Sequence, residues 1–481
     1  MAMSEGGGAA GAAAARRRFL APLALAQFIC SFAGSNMNVM INDITHDLDT
    51  SVEGVQATIT LFLLIMAVLM IPCSKLTDRW GRKRCFTGGL VLYGIGALLS
   101  AIAPNLGVLI LGNSVFEGVG TALLIPPVYI LTTLRFKDLT SRARAFGVIS
   151  GLGGIGAAAG PLIGGIITTG ISWRAAFLFQ AAVIVLIIVL SRRVSDPIPA
   201  DPTRPFDAFG ALLSAVGMFC LVFGILQADT NAALMTVLLV VGAALLAWFW
   251  LYIRGRERAG KEALLSTGLF RNRTSNLALV TQNLQWLLLM GVSFTVSVFL
   301  QTVRGYNAIQ TGVVFTAATL GVLASSLAAE RLAKRRPQRT LIMAGFVVTA
   351  AGVGLLLALV GASSRVVAFV PGLLLIGLGL GVMLTPSVNV VQSSFAENKQ
   401  GEISGLSRSV SNLGSSFGTA IAGTILVSDL ASGNGSYVAA MIFLAVFAVI
   451  GLVAAVRLPR ETAESTPAGS AAGEALAAAE H

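Results

Sequence analysis

Charge is scarce in this chain: Asp, Glu, Lys and Arg together make up 11% of its 481 residues. Histidine occurs only at His46 and His481, and cysteine only at Cys30, Cys73, Cys85 and Cys220. Two isolated histidines supply no ligand set of the kind that zinc requires. The cysteines lack metal-ligand spacing and fall in or beside apolar runs, where they read as filler. No nucleophile stands paired with a base, so an intramembrane enzyme is disfavoured, and no catalytic residue, metal site or cofactor is expected. A large soluble domain is missing as well, which speaks against a receptor or scaffold that does not transport.

What remains is apolar. Hydrophobic residues are 55% of the chain and mean hydropathy is +0.83. Apolar runs of roughly 20 residues recur throughout, the length of a helix that crosses a bilayer. They predict an all-α polytopic membrane protein. Spans are placed at 19–41, 55–75, 85–103, 107–128, 145–168, 175–191, 209–227, 233–253, 275–300, 311–330, 340–361, 366–393, 404–428 and 436–456.

The net charge of +11 invites a nucleic-acid partner, but its distribution decides otherwise. With the N-terminus inside, all but Arg174, Arg304 and Arg365 of the 33 lysines and arginines fall on the cytoplasmic side. That is the positive-inside rule, and anionic membrane lipid is the counter-charge it implies. Nucleic acid is not expected, and both termini are placed in the cytoplasm. Arg16-Arg17-Arg18 before the first apolar run has the look of a signal peptide. The run is long and lacks a small-x-small cleavage site, so an uncleaved first span is expected.

Two stretches carry the most specific patterns. Gly156-Ala-Ala-Ala-Gly160-Pro161-Leu-Ile-Gly164-Gly165 sets glycines every four residues along one helical stripe, which lets a neighbouring helix approach to backbone contact. Pro161 removes a backbone donor within that stripe and kinks it. Between the second and third spans lies Ser74-Lys-Leu-Thr-Asp78-Arg79-Trp-Gly81-Arg82-Lys83-Arg84. An acid at a helix end, a glycine turn and clustered cations form a charge network that can pair in one conformation and release in another. Glu330–Arg339 repeats its spacing with Lys334 in place of the acid, as expected of two related halves.

The first string resembles the antiporter motif in the fifth span of exporters of the major facilitator superfamily, and Trp173-Arg174 follows it as it does there. The second is similar to that superfamily's loop motif, G-x-L-A-D-R-x-G-R-K, with Ser74 in place of the first glycine. Phe299-Leu-Gln301-x-Val-Arg304-Gly305-Tyr306-x3-Gln310-x-Gly312 resembles the fourteen-span drug:proton antiporter branch, and the likeness covers residues 19–457. It implies two six-helix bundles, 19–191 and 275–457, with an inserted helix pair at 209–253. Cytoplasmic linkers would occupy 192–208, which is proline-rich, and 254–274. Tails at 1–18 and 458–481 are expected to be disordered.

The resemblance further implies proton-driven export of an amphipathic small molecule by alternating access from the plasma (inner) membrane. A facilitator or importer of a metabolite or lipid on the same fold is the alternative. Asp78, Arg79, Gly81, Arg82 and Lys83 would form the conformational latch, with Asp78 meeting the thirteenth span near Ser404. Gly156, Gly160, Pro161, Gly164 and Gly165 would form the outer seal.

Polar residues within spans point to a cavity. Asn38 and Asn42 share a face of the first span, though interhelical hydrogen bonding explains them equally well. Glu117 is the one acid deep in the bilayer, and desolvation makes it a candidate proton carrier, a counter-charge for a cation, or a permanently protonated group bonded to a neighbouring helix. Asn113 shares its face. Related exporters have R-x-x-Q-G where this chain has Ser114-x-x-Glu117-Gly118, and Ala33 stands where they often carry an acid. Glu117 is thus the principal titratable candidate. Gln282, Gln285 and Trp286 share a face of the ninth span and suit a substrate wall. Asn389 and Gln392 lie at i,i+3 in the twelfth, while Glu402 and Arg408 bracket the start of the thirteenth. The oligomeric state and the substrate are not legible.

Overall fold

In lipid no water is available to bond backbone groups, so apolar runs of this length satisfy their N–H and C=O groups internally, as helices. The computed structural model describes residues 5–459 apart from 137–138, 193, 198, 204, 229–230, 334, 363–365, 396–398 and 428–433. Its helices run α1 Glu5–Asn36, α2 Ile41–Asp47, α3 Val52–Trp80, α4 Arg82–Ala101, α5 Leu106–Leu109, α6 Gly118–Arg135, α7 Leu139–Gly170 and α8 Trp173–Ser191. There follow α9 Ala208–Leu226, α10 Ala232–Arg258, α11 Arg273–Val298, α12 Ala308–Ala333, α13 Gln338–Ala362, α14 Phe369–Ser393, α15 Gln400–Val427 and α16 Asn434–Val456. Two π-helical segments, Ile110–Glu117 and Phe299–Val303, join α5 to α6 and extend α11.

Among the described residues, thirteen helices are long and apolar enough to cross a membrane. The remaining predicted span, 404–428, is α15, whose serines lower its hydropathy. Ser407, Ser409, Ser411, Ser415 and Ser416 are all buried, because α15 packs against α11, α3, α16 and α9. Several hydroxyls bond to backbone carbonyls, as Ser411 does to Ser407 O and Ser416 to Thr60 O. A serine-rich helix is tolerated where protein, not lipid, surrounds it.

The packing has internal symmetry. In the first half α1 packs on α7, α4 on α6 and α8, and α3 on α6; in the second, α11 packs on α15, α13 on α14 and α16, and α12 on α14. Small residues recur at equivalent contacts. A Cβ on Gly156 would stand 2.3 Å from the Phe28 carbonyl oxygen, and one on Gly414 2.2 Å from that of Asn283. Both α1–α7 and α11–α15 are therefore backbone-to-backbone contacts. Lys334, the cation expected at the acid's place in the repeated motif, lies outside the described residues, as does Arg365.

Two seams join the halves, α3 with α15 and α7 with α12. The first is made along its whole length, from Gln56 bonding to Ala420 O, through Ser409 bonding to Ala67 O, to Lys75 facing Glu402. The second is made at one end only. A Cβ on Gly165 would stand 2.5 Å from Ala308 O, one on Gly312 2.5 Å from Pro161 O, and Thr319 bonds to Ala158 O. Towards the other end of α7, Gly147, Gly151 and Gly154 have no atom within 4 Å of a built Cβ. Leu327 of α12 is 77% exposed.

The inserted pair lies over the seam that is fully closed. Val222 of α9 packs with Leu64, Val68 and Ala420 of α3 and α15, while α10 is nearly all exposed, as a lipid-facing helix would be. Asp207 anchors the pair. Buried before α9, it accepts from Gly210 N at 3.0 Å, Tyr252 Oη at 3.0 Å and Leu264 N at 3.1 Å, with Arg256 Nε at 3.7 Å. Asp207→Ala removes a helix cap and strands buried donors, a cost of about 2 kcal/mol. The expected outcome is a lower melting midpoint of the purified protein in a thermal-shift assay.

Candidate functional site

Between the halves lies a narrow cavity of about 50 Å³. Its walls come from α1 (Gln27, Ser31), α3 (Phe62, Met66, Met70), α6 (Ile125), α11 (Trp286, Met290) and α15 (Arg408, Ser411, Asn412, Ser415). Methionine and aromatic side chains give an adaptable apolar wall, and a few amides and hydroxyls give it polarity. Drug-sized ligands occupy roughly 300–1,000 Å³, so in this conformation the space is too small to hold one.

Contacts between the halves flank the cavity at both ends, although the α7–α12 seam is made at one end only. At the end carrying α2, Asn38 Nδ2 donates to Ser293 Oγ at 3.0 Å, and Gln301 Nε2 donates to Asn38 O at 2.8 Å. Gln301 Oε1 accepts from Asn42 N at 3.1 Å. Asn38 and Asn42 thus belong to a polar plug that ties the first half to the π-helical end of α11. Beyond it, Ile309 N donates to Thr169 Oγ1 at 3.0 Å. Arg174 hydrogen-bonds to Asp47 and holds that carboxyl below the usual carboxylate range, against a smaller opposing effect of desolvation. A carboxyl lowered in this way loses its pair only when pH falls through the lowered value, so the contact persists across ~pH 5–8.

At the opposite, basic end, Gly81 has φ +92°, a backbone conformation that a side chain would strain. It turns the chain from α3 into α4. Asp78 pairs with Arg82, and the Arg82 and Lys83 N–H groups at the start of α4 donate to Asp196 Oδ2 at 2.7 and 3.3 Å. The linker carboxylate thereby caps α4. Lys83 Nζ reaches Arg192 O at 3.2 Å, and Arg79 lines a surface recess with Trp80, Arg84 and Pro202. An ionic contact across the halves is made by Lys75 and Glu402, 2.5 Å apart. Gly405 sits against Ser74, its built Cβ 3.4 Å from that side chain.

One layer further in, Arg408 of α15 bonds to the Tyr129 hydroxyl and lies over its ring, 4.7 Å from the centroid. Tyr129 in turn donates to Gln27 Oε1 at 3.1 Å. This chain of three joins α15 to α6 and α1 at the cavity wall. Arg408 carried a sequence signal as a cation just inside a span. Tyr129 carried none, since a lone tyrosine in an apolar run reads as packing.

Other predicted positions fall elsewhere. Glu117 is fully buried but faces α4: its carboxylate lies 3.5 Å from Ser100 Oγ and 3.4 Å from Asn113 Nδ2, beside Tyr93, which bonds to Gln180. Glu117 and Asn113 do share a face; Glu117 reaches Ser100 of α4, and neither residue is among those that line the cavity. Gln282 is bonded to Ser407 Oγ at 2.9 Å, inside the α11–α15 contact. Gln285 is buried with neither amide atom bonded, and Trp286 lines the cavity. Asn389 is exposed, Gln392 is half-buried, and neither lines the cavity. Gly156, Gly160 and Gly164 press on α1 of their own half, meeting Phe28, Ser35 and Asn36, whereas Gly165 meets the other half. Groups of three or more His, Cys, Asp or Glu able to hold a metal are absent among the described residues.

The family model described as Major Facilitator Superfamily matches residues 23–419. Puromycin resistance protein pur8 of Streptomyces alboniger is 29% identical over 84% of this chain and 81% of its own length. Multidrug efflux pump LfrA of Mycolicibacterium smegmatis is 28% identical over 84% and 80%. Riboflavin transporter RibZ of Clostridioides difficile is 24% identical over 85% and 88%.

Proposed function

The chain belongs to the Major Facilitator Superfamily, and on that premise we propose that it exports amphipathic small molecules from the cytoplasm, driven by inward proton flow. It is a multi-pass integral membrane transporter, not an enzyme. The fourteen-span drug:proton antiporter branch is the assignment its motifs support, with the basic end in the cytoplasm and the Asn38–Gln301 plug outside. Relatives named for drug resistance and efflux support export. The observation that carries the reading is a narrow cavity between two halves that are tied by polar contacts at either end and by a seam, α7–α12, made at one end only. Such contacts can break one end at a time, which alternating access requires.

Glu117 is proposed as the proton carrier. A charge there would have no ionic partner among its described contacts, so taking up or losing a proton changes how well that face packs. The Asp78–Arg84 network and the Lys75–Glu402 pair form the inner latch; Gly165 with Ala308 forms the outer seal. A facilitator needs no titrating group, and a relative named as a riboflavin transporter keeps that second reading in play.

An efflux screen of cells expressing wild type or Asp78→Ala identifies a cargo. Proteoliposomes loaded with it, under imposed pH gradients of either sign, then separate the two readings. Export by proton exchange predicts accumulation against the cargo's gradient that reverses when the pH gradient is reversed. Flux that follows only the cargo's own gradient would indicate a facilitator.

A further inference from the structure

We infer that the cavity selects amphipathic organic anions over cations, and that Arg408 is the residue that sets this preference. The inference rests on the export reading for its biological sense. Arg408 is the only charged residue among those lining the cavity, and none of its described contacts is a carboxylate. Its partners are the hydroxyl and the ring face of Tyr129. A guanidinium held by neutral groups keeps most of its capacity for a carboxylate, sulfonate or phenolate, whose charge it can meet with two parallel N–H donors.

A cationic cargo would find the reverse. Glu117, the acid deepest in the membrane, is fully buried and turned to Ser100, Asn113 and α4. Glu402, the acid nearest Arg408 along α15, is paired with Lys75. The wall therefore offers a cation no counter-charge, and Arg408 repels it in a medium where charge is weakly screened. Trp286, Phe62, Met66 and Met290 supply the apolar surface for a flat hydrocarbon body. An arriving anion would take Arg408 from Tyr129 and so loosen the link to Gln27. Cargo binding is thereby connected to a contact between the halves.

Two dyes with the same xanthene core test this: fluorescein, which is anionic, and rhodamine 123, which is cationic. Binding to the purified protein in nanodiscs is read by quenching of tryptophan emission, with Trp286→Phe as the control that ties the signal to the cavity. Fluorescein is expected to bind at least tenfold more tightly than rhodamine 123. Arg408→Gln should erase that ratio, and Arg408→Lys should keep most of it. If rhodamine 123 bound as well as fluorescein, if neither bound, or if Arg408→Gln left the ratio unchanged, the inference would be overturned. A role for Arg408 as a gate alone would weaken both dyes equally, which also overturns it. The assay uses no pH gradient, so its failure leaves the export reading standing; that reading fails separately, on the gradient-driven flux.

Discussion

Gly165→Val is expected to lower export tenfold or more while leaving the protein folded. Even the first carbon of the new side chain would stand 2.5 Å from the Ala308 carbonyl oxygen and 3.2 Å from the Ile309 Cα. These are backbone atoms of the other half, and they cannot rotate away. Overpacking of this kind costs about 1–3 kcal/mol, and here the strain falls on the conformation in which α7 and α12 touch. A clash with fixed backbone atoms falls in the upper part of that range, and ~2–3 kcal/mol on one state of the cycle slows passage through it roughly thirty- to 150-fold. The control is Gly156→Val, where the clash is with the Phe28 carbonyl oxygen at 2.3 Å. That contact lies inside one half and is not remade during transport, so Gly156→Val should lower yield and melting temperature. Flux assays combined with thermal unfolding of both variants separate closure from folding.

Glu117→Gln is the second large effect. The amide is nearly isosteric and can still accept from Ser100 and Asn113, which now lie 3.5 and 3.4 Å from the carboxylate. The fold should be retained, with a melting temperature close to wild type. The variant has no proton to bind or release at that site, so accumulation driven by a pH gradient should vanish while exchange of cargo for cargo continues. Retention of full pH-driven accumulation would remove Glu117 from the coupling step. Its place at the end of a π-helical segment is consistent with function, since such wide turns recur at functional sites.

Much of this architecture was legible in the chain. Apolar runs located the helices, and the span placed at 404–428 is α15, despite its serines. The glycine string showed that something must approach α7 closely. It did not show what: Gly156, Gly160 and Gly164 meet α1, and only Gly165 meets the other half. Helical periodicity likewise put Asn113 and Glu117 on one face, but periodicity alone does not tell which neighbour that face meets. The same limit applies to Asn38 and Asn42, whose partner Gln301 is 259 residues away from Asn42, and to Gln282, which bonds to α15. The Arg408–Tyr129–Gln27 chain joins three helices remote in sequence, and no local pattern announces it.

The central claim is that the α7–α12 seam opens and closes in every transport cycle. It is tested most directly by cysteines at Thr169 and Ile309, where a backbone N–H and a side-chain oxygen lie 3.0 Å apart. The background would lack the four native cysteines, all of them buried. Oxidative cross-linking of the pair should stop export, and reduction should restore it. Export at an undiminished rate by fully cross-linked protein would contradict the account.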